Sequence, residues 1–267
     1  MADIRMAVAG AAGRMGCALV RAISEINGAK LSGALESEGH PDLGQDAGAL
    51  AGLPASGVTL SADAAAVLSS ADVLIDFSTA KVSTKLAERA AAAGVAEVIG
   101  TTGFSTEDEA VLGAAAKRIA IVKSGNMSLG ICLLTALVEK AAATLPDFDV
   151  EILEMHHAMK KDAPSGTALM LGRAAAKGRG IALEGHMERG RDGITGARKK
   201  GDIGFASLRG GTIVGEHQVI FAGNHERIVL SHSAEDRAIF ANGAVRAALW
   251  VKGKPAGLYA IADVLGL

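Results

Sequence analysis

The segment "IRMAVAGAAGRMGCALVRAISE", residues 4–25, joins a short apolar run to a glycine-containing turn and a helical pattern. The glycines stand at Gly10, Gly13 and Gly16. In a strand–turn–helix unit of this kind the first glycine forms the turn, the second lets the backbone approach a pyrophosphate, and the third allows close helix packing. In a chain with 34 glycines such a triplet can also belong to ordinary turns. The segments that follow are therefore needed to distinguish a dinucleotide site from a turn.

Three later segments repeat the design of an apolar strand that runs into a polar loop. They are "ADVLIDFST" (71–79), "AEVIGTTGFS" (96–105) and "IAIVKSGNMS" (119–128), and helical patterns separate them. A further strand pattern, "AKLSGALES", ends at Glu36, about 20 residues past the last glycine, where an acid can accept ribose hydroxyls. This alternation predicts an α/β fold class, with an N-terminal doubly wound parallel, Rossmann-like sheet and a nucleotide site at the carboxyl ends of its strands.

The pattern changes after Gly130. A long helical segment and a strand pattern over residues 149–157 precede three strand-like segments, Gly204–Arg209, Thr212–Phe221 and Arg227–Ser233. Short turns separate these segments, which predicts a second α+β domain built on a mixed or antiparallel sheet with helices on one face. We expect residues 1–128, completed by 240–267, to form the dinucleotide-binding domain, and residues 129–239 to form the second domain.

The stretch "HHAMKKDAPSGTA", from His156 to Ala168, concentrates polar chemistry in one loop. Pro164 forces the preceding residue out of helical geometry, so a new helix begins after it, capped by Ser165 or Thr167. The backbone N–H groups of Gly166 and Thr167 would then form a site for a carboxylate or phosphate. An ordinary helix cap beside ordinary histidines is the alternative, but two histidines and two lysines beside the cap favour a ligand site with a proton donor.

Composition excludes several classes of protein. The formal net charge of −2 and the 3% aromatic content argue against nucleic acid and membrane partners. Charges in the first residues fit neither a signal peptide nor a membrane span, so we expect a cytoplasmic location. The seven histidines lack the spacing of a zinc hydrolase, so we predict no metal site. Glu216 and His217 are assigned no catalytic role and are expected at a subunit interface or hinge.

The chain resembles the dihydrodipicolinate reductases, now described as 4-hydroxy-tetrahydrodipicolinate reductases, of lysine and diaminopimelate biosynthesis. The resemblance rests on "VAGAAGRMG", "DFST", "GTTGF", "GNMSLG", "EMHHAMKKDAPSGTA", "IGFASLRGGTIVGEH" and "FANGAVRAALW", which span nearly the whole chain. It implies hydride transfer from NADH or NADPH to a cyclic dicarboxylate. It also implies that the second domain binds substrate and assembles a homotetramer.

The resemblance assigns site residues by position. His156 is implied as the acid/base group and Lys160 as a second proton donor. The implied substrate-binding residues are His157, Ser165, Gly166 and Thr167. The implied cofactor-binding residues are Gly10, Ala11, Ala12, Gly13, Arg14, Met15, Glu36, Gly100, Thr101, Thr102, Ser124, Gly125, Asn126 and Met127.

Two departures from the family pattern bear on the cofactor. Ser37 follows Glu36 where some members carry Arg, and an acid without an adjacent Arg favours NADH. Arg14 or Lys81 could still hold the 2′-phosphate of NADPH, so both cofactors stay open. Met127 stands where some relatives have an aromatic residue, and its adaptable apolar side chain can line a nicotinamide pocket.

Two alternatives stay open. One is another NAD(P)-dependent amino-acid-pathway dehydrogenase, such as an aspartate-semialdehyde or homoserine dehydrogenase. The former needs a thiolate, and Cys132 lies in an apolar helical run that suits a thiolate poorly. The other is a non-catalytic nucleotide-sensing protein, against which the histidine and lysine loop argues.

Overall fold

The computed structural model describes residues 2–267. The strands are β1 Ile4–Ala9, β2 Ala29–Leu35, β3 Leu60–Ser61, β4 Val73–Asp76, β5 Ala96–Ile99, β6 Ala120–Lys123, β7 Asp149–His156, β8 Met187–Glu188, β9 Ile203–Arg209, β10 Gly215–Ala222, β11 Arg227–Ala234 and β12 Gly257–Tyr259. The helices are α1 Arg14–Glu25, α2 Ala47–Leu50, α3 Ala64–Ser69, α4 Ala80–Ala93, α5 Thr106–Ala115, α6 Leu129–Thr144, α7 Gly166–Gly178, α8 Ala238–Val251 and α9 Ile261–Leu265.

The chain forms two compact units. Unit 1 runs up to Leu129 and resumes from Ala238 to Leu267, whereas unit 2 is the continuous segment Gly130–Arg237. The helix α8 packs on α1 and on β4 and β5, within the first unit. No helix among residues 2–267 is both long and apolar enough to cross a membrane.

Unit 1 is built on a seven-stranded parallel sheet in the order β12-β6-β5-β4-β1-β2-β3. Central strands of such a sheet are covered on both faces, and all four residues of β4 are buried accordingly. The order reverses direction between β1 and β4, because β2 lies on one side of β1 and β4 on the other. The carboxyl ends of β1 and β4 therefore mark the position where open parallel sheets bind ligands.

Unit 2 contains a five-stranded mixed sheet in the order β11-β10-β7-β9-β8. The central strand β7 pairs antiparallel with β10 and parallel with β9. Burial alternates along β7, so that Val150, Ile152, Glu154 and His156 lie on the buried face. That face packs against α6 and α7 in one apolar core. The two-residue period of a strand thus places Glu154 and His156 together on the helix-covered side.

The opposite face of this sheet carries apolar side chains that are only partly covered. Leu208 on β9 is 47% exposed and Val229 on β11 is 44% exposed. Leu153 and Met155 on β7 are half-buried neighbours on the same face. Exposed apolar side chains that share one sheet face are a feature of surfaces that bind other proteins.

The secondary structure differs from the sequence prediction in its short elements. The segment predicted as a strand from Thr212 begins pairing only at Gly215, because Gly210–Val214 forms the preceding turn and loop. The short elements β3, α2 and β12 were not predicted. The strand β12 extends the parallel sheet next to β6.

Candidate active site

His156 is the last residue of β7 and its side chain is largely buried. Its Nδ1 lies 2.5 Å from Oε2 of Glu154, two residues earlier on the same strand. A Cβ atom at Gly215 would lie 3.0 Å from Nε2 of His156, so the absence of a side chain there leaves room for the imidazole. One ring nitrogen of His156 is thus held by a carboxylate, and the other lies beside a glycine.

Glu154 has several hydrogen-bond partners although its side chain is only 1% exposed. Besides His156, it accepts hydrogen bonds at both oxygens from Arg209, each at 2.9 Å, and one from the backbone N–H of Ser165 at 3.2 Å. Burial acts to raise the pKa of Glu154, but the hydrogen bonds from Arg209 and His156 outweigh it and leave the pKa below its usual value. The carboxylate is therefore ionised at neutral pH.

The N-terminus of α7 adjoins this carboxylate through Ser165. Ser165 is the N-cap, and its Oγ accepts from the backbone N–H of Ala168 at 3.1 Å. Gly166, the first residue of α7, is exposed, and a Cβ atom there would meet no atom within 4 Å. Its backbone is accessible at the positive end of the helix dipole, which suits an anionic ligand.

His217 joins the same cluster from β10. Its side chain is buried, its ring meets that of His156 edge to face with 5.1 Å between centroids, and its Nε2 lies 3.1 Å from Oγ of Ser165. Burial lowers the pKa of His217 to about 4, and the nearby His156 adds to the effect. His217 is therefore neutral at pH 7, beside a histidine that contacts an ionised carboxylate.

The two remaining polar residues predicted from the loop lie after β7. Lys160 donates from Nζ to Oδ1 of Asp162 at 2.9 Å, and this contact helps to hold the pKa of Asp162 below its usual value. His157 lines an open cavity of about 470 Å³ together with Met159 and Thr212. The structure thus joins His156 to the start of α7 through Glu154, and it places His157 in the lining of an open cavity.

The glycine loop in unit 1 fits a dinucleotide. Gly10 has a φ of +67°, which a residue with a side chain rarely adopts. A Cβ atom at Gly16 would lie 2.1 Å from the main-chain oxygen of Gly10, so only glycine lets α1 start this close to β1. At the end of β2, Glu36 accepts hydrogen bonds from the backbone N–H groups of Ala12 at 3.2 Å and Ser37 at 2.9 Å. The acid predicted to bind ribose therefore adjoins the loop predicted to bind pyrophosphate.

The loops after β4 and β5 line an open cavity of about 640 Å³. The ring of Phe77 occupies the space that a side chain at Gly100 would need, since a Cβ atom there would lie 2.2 Å from it. Oγ of Ser83 donates to Oγ1 of Thr101 at 3.1 Å and ties the second loop to α4. These contacts shape the cavity that contains Gly100, Thr101 and Thr102.

The loop after β6 holds the last predicted cofactor residues. Oγ of Ser124 donates to the main-chain oxygen of Asn126 at 2.7 Å, and the Asn126 side chain accepts from the N–H of Ser128 at 2.9 Å. The side chain of Met127 is buried. The loop is therefore a structured turn at the same edge of the sheet as Gly10 and Gly100.

Comparisons with known proteins agree with this arrangement. Residues 4–127 match the family described as "Dihydrodipicolinate reductase, N-terminus", and residues 130–265 match "Dihydrodipicolinate reductase, C-terminus". The chain belongs to the dihydrodipicolinate reductase family. Its predicted family, α/β fold class and NAD(P)H-dependent reductase class are thereby confirmed.

Several relatives of this dihydrodipicolinate reductase family member are similar over their full length. The 4-hydroxy-tetrahydrodipicolinate reductase of Rhodopseudomonas palustris (strain BisB18) is 60% identical over 100% of this chain and 99% of that protein. The enzyme of the same name from Parvibaculum lavamentivorans is 59% identical, with the same coverage. A solved structure, "Dipicolinate bound Dihydrodipicolinate reductase from Paenisporosarcina sp. TG-14", has a TM-score of 0.80 at 27% identity and covers 98% of each chain.

Sequence reasoning gave no site role to three residues of the cluster around His156. Glu154 and Arg209 were quoted within motifs but given no role, and His217 was assigned to an interface or hinge. The alternation along β7 could have indicated Glu154, because it shares a face with His156. Arg209 and His217 reach the site only through the pairing of β7 with β9 and β10, which the sequence pattern does not specify.

Proposed function

We propose that the chain is a 4-hydroxy-tetrahydrodipicolinate reductase, which transfers a hydride from NADH or NADPH to a cyclic dicarboxylate in lysine and diaminopimelate biosynthesis. One observation carries the proposal. The Glu154 carboxylate contacts both the His156 imidazole and the N–H of Ser165, so a proton donor lies beside a helix N-terminus suited to a carboxylate.

Unit 2 binds the substrate in this proposal. One carboxylate of the ring accepts hydrogen bonds at the start of α7, from Ser165, Gly166 and Thr167. Lys160 and His157 are the basic residues available to the other end of the substrate. The dipicolinate in the Paenisporosarcina structure is a planar cyclic dicarboxylate, which supports this substrate class.

Unit 1 holds the cofactor. The loop of residues 10–15 binds the pyrophosphate, Glu36 accepts the ribose hydroxyls, and the loops of residues 100–102 and 124–127 surround the nicotinamide end. The reduced nicotinamide, when bound, supplies the hydride. A Glu36 carboxylate that accepts the ribose hydroxyls would repel a 2′-phosphate, so in this proposal NADH is the preferred donor.

His156 supplies the proton of the reaction. It donates to the ring carbon next to the one that receives the hydride, and Lys160 acts as a second donor. A positioned acid of this kind contributes roughly 10²–10⁴-fold to the rate.

The protein acts as a homotetramer in the cytoplasm. The partly exposed apolar face of the unit 2 sheet, with Leu208 and Val229, supports an assembly surface, since such faces favour association.

The test is spectrophotometric. The purified protein would receive NADH or NADPH and the freshly formed condensation product of pyruvate and aspartate semialdehyde, and nucleotide oxidation would be followed with and without dipicolinate. We expect oxidation that dipicolinate inhibits competitively. If neither nucleotide is consumed, the proposed function is wrong.

The variant His156→Ala separates the reductase from a nucleotide-sensing protein. We expect it to lose about 10²–10⁴-fold of turnover while its Kd for NADH stays unchanged. The matched control is His225→Ala, an exposed histidine in the turn between β10 and β11, which should keep full turnover. Equal turnover of both variants would contradict the role of His156.

A further inference from the structure

We propose that Glu154 is a positioning residue. It fixes the tautomer of His156 and holds this imidazole beside the start of α7. The inference deepens the proposed function and rests on it for the role of His156. In this proposal Glu154 acts through His156 and does not itself contact the substrate.

The contact at Nδ1 determines which nitrogen of His156 can exchange a proton. An ionised carboxylate can only accept hydrogen bonds, so at 2.5 Å Oε2 of Glu154 requires a hydrogen on Nδ1. The neutral ring then carries its lone pair on Nε2. Proton donation and uptake are thereby directed to the Nε2 side, next to Gly215.

Arg209 keeps the carboxylate ionised in its buried position. Its two terminal nitrogens hold both oxygens of Glu154 in a bidentate pair, which is the strongest geometry for these groups. A third contact, from Arg209 Nη2 to the main-chain oxygen of Asp162 at 2.6 Å, holds the loop that carries Lys160. One guanidinium therefore supports the charge of Glu154 and the placement of the second proton donor.

The surroundings of the cluster distinguish His156 from His217 by their hydrogen-bond partners. The charged and titratable groups around the cluster are Glu154 on β7, Arg209 on β9, His217 on β10, Lys160 and Asp162 on the loop after β7, and His232 on β11. His217 stays neutral and contacts Ser165 and not the carboxylate. His156, by contrast, contacts the Glu154 carboxylate directly through Nδ1.

The first experiment uses the unaltered protein without substrate. The ¹⁵N chemical shifts of the histidine rings would be recorded against pH, with the His156 signals assigned by their loss in His156→Asn. We expect neutral His156 to carry its hydrogen on Nδ1, with a bare Nε2. A hydrogen on Nε2 would overturn the proposal, and this reading is independent of whether the protein reduces any substrate.

The second experiment compares Glu154→Gln with Glu151→Gln. Glu151 lies three residues earlier on β7 and is also paired with arginines, Arg191 and Arg198, so it is a matched control. We expect Glu154→Gln to lower kcat about 100-fold and to leave the KM for NADH unchanged. The pH profile of its kcat should differ from that of the control, because the anion that contacts Nδ1 is gone.

The control should retain the pH profile of the unaltered protein. A Glu154→Gln profile that coincides with the control would overturn the positioning role even if the unaltered protein is an active reductase. An inactive unaltered protein that still shows the Nδ1 hydrogen would contradict only the proposed function.

Discussion

A Cβ atom at Gly243 would lie 1.8 Å from the main-chain oxygen of Met127. Gly243 lies in the interior of α8, where alanine would favour the helix by roughly 1 kcal/mol. Glycine is required at this position because the backbone of α8 lies directly against the backbone of the loop after β6, with no space for a side chain. That loop contains the residues proposed to surround the nicotinamide end of the cofactor.

Replacing Gly243 by alanine should weaken both stability and cofactor binding. The added methyl group must displace the Met127 loop or α8, which we expect to lower the free energy of unfolding by about 1–3 kcal/mol. The Kd for NADH should rise as the loop moves. Urea unfolding and fluorescence titration with NADH would measure the two effects.

Gly113 on α5 is the matched control, because a Cβ atom there meets nothing within 4 Å. Gly113→Ala should raise the free energy of unfolding by about 0.5–1 kcal/mol through helix propensity. If both alanine variants were equally stable, close approach at Gly243 would not be the reason for the glycine.

The choice between NADH and NADPH should depend on Glu36. Ser37 donates to Oε1 of Glu36 from its backbone N–H and from its Oγ, which fixes the carboxylate beside the Ala12 N–H. Glu36→Gln removes the negative charge and should raise the KM for NADH about tenfold while lowering the KM for NADPH. Initial rates with each nucleotide would give the ratio.

Glu38→Gln removes the same charge from an exposed position two residues further on. It should leave the ratio of the two KM values unchanged. An equal shift in both variants would mean that net charge, and not the carboxylate of Glu36, decides the preference.

Acid should destabilise the protein through His217. Its pKa is lowered to about 4 in the folded state, whereas an unfolded histidine titrates near 6.5. Between these pH values His217 is protonated in the unfolded chain but neutral in the folded chain. The free energy of unfolding therefore falls as the pH decreases from 6.5 to 4. The full loss is about 3 kcal/mol.

The His217→Gln variant should lose this part of the pH dependence, as measured by urea unfolding at several pH values. His225→Gln changes an exposed histidine and should keep the dependence of the unaltered protein. A His217→Gln slope as steep as that control would show that His217 is not the group responsible.

The opposite pH dependence is expected from Glu97 on β5. Its side chain is fully buried, and neither carboxylate oxygen has a hydrogen-bond partner among residues 2–267. Burial raises the pKa of Glu97 well above its usual value, and the nearby Asp76 raises it further. Above pH 4.5 the unfolded chain releases a proton that the folded chain keeps, so this group lowers stability as the pH rises.

Replacing Glu97 by methionine should therefore stabilise the protein at pH 8, by about 1–3 kcal/mol, because an unpaired buried polar group is removed. Glu97→Gln keeps a polar group and should gain less, but in both variants the fall in stability above pH 4.5 should be shallower, with the remainder due to Asp76, whose pKa burial also raises. Thermal unfolding at pH 5 and pH 8 would measure it. A slope in Glu97→Met as steep as that of the unaltered protein would contradict the assignment.

Much of unit 1 was predictable because its signals are local. Buried parallel strands are continuous apolar runs, and each is followed by a helix with its own start and stop, such as Gly94 after α4 with a φ of +69°. The short strands β3 and β12 were missed because two or three residues show no periodicity. They become strands only through pairing with β2 and β6.

The candidate site was less predictable because the pairing and register of β9 and β10 with β7 bring its residues together. The motif of residues 156–168 indicated His156 and the cap at Ser165, which are close in sequence. Arg209 reaches Glu154 across 55 residues and His217 reaches Ser165 across 52, through pairing of β9 and β10 with β7. Periodicity within one strand carries no information on which strand lies next to it or in which register.

The return of α8 and β12 to the first unit has a consequence for biosynthesis. During translation the strands β1 to β6 emerge well before the segment from Ala238 onward that covers α1, β4 and β5. The apolar surface of α1, β4 and β5 that α8 covers therefore stays exposed while the ribosome synthesises the 108 residues from Gly130 to Arg237. A chain that stops after Arg237 would be left in that state, open to capture by chaperones and proteases.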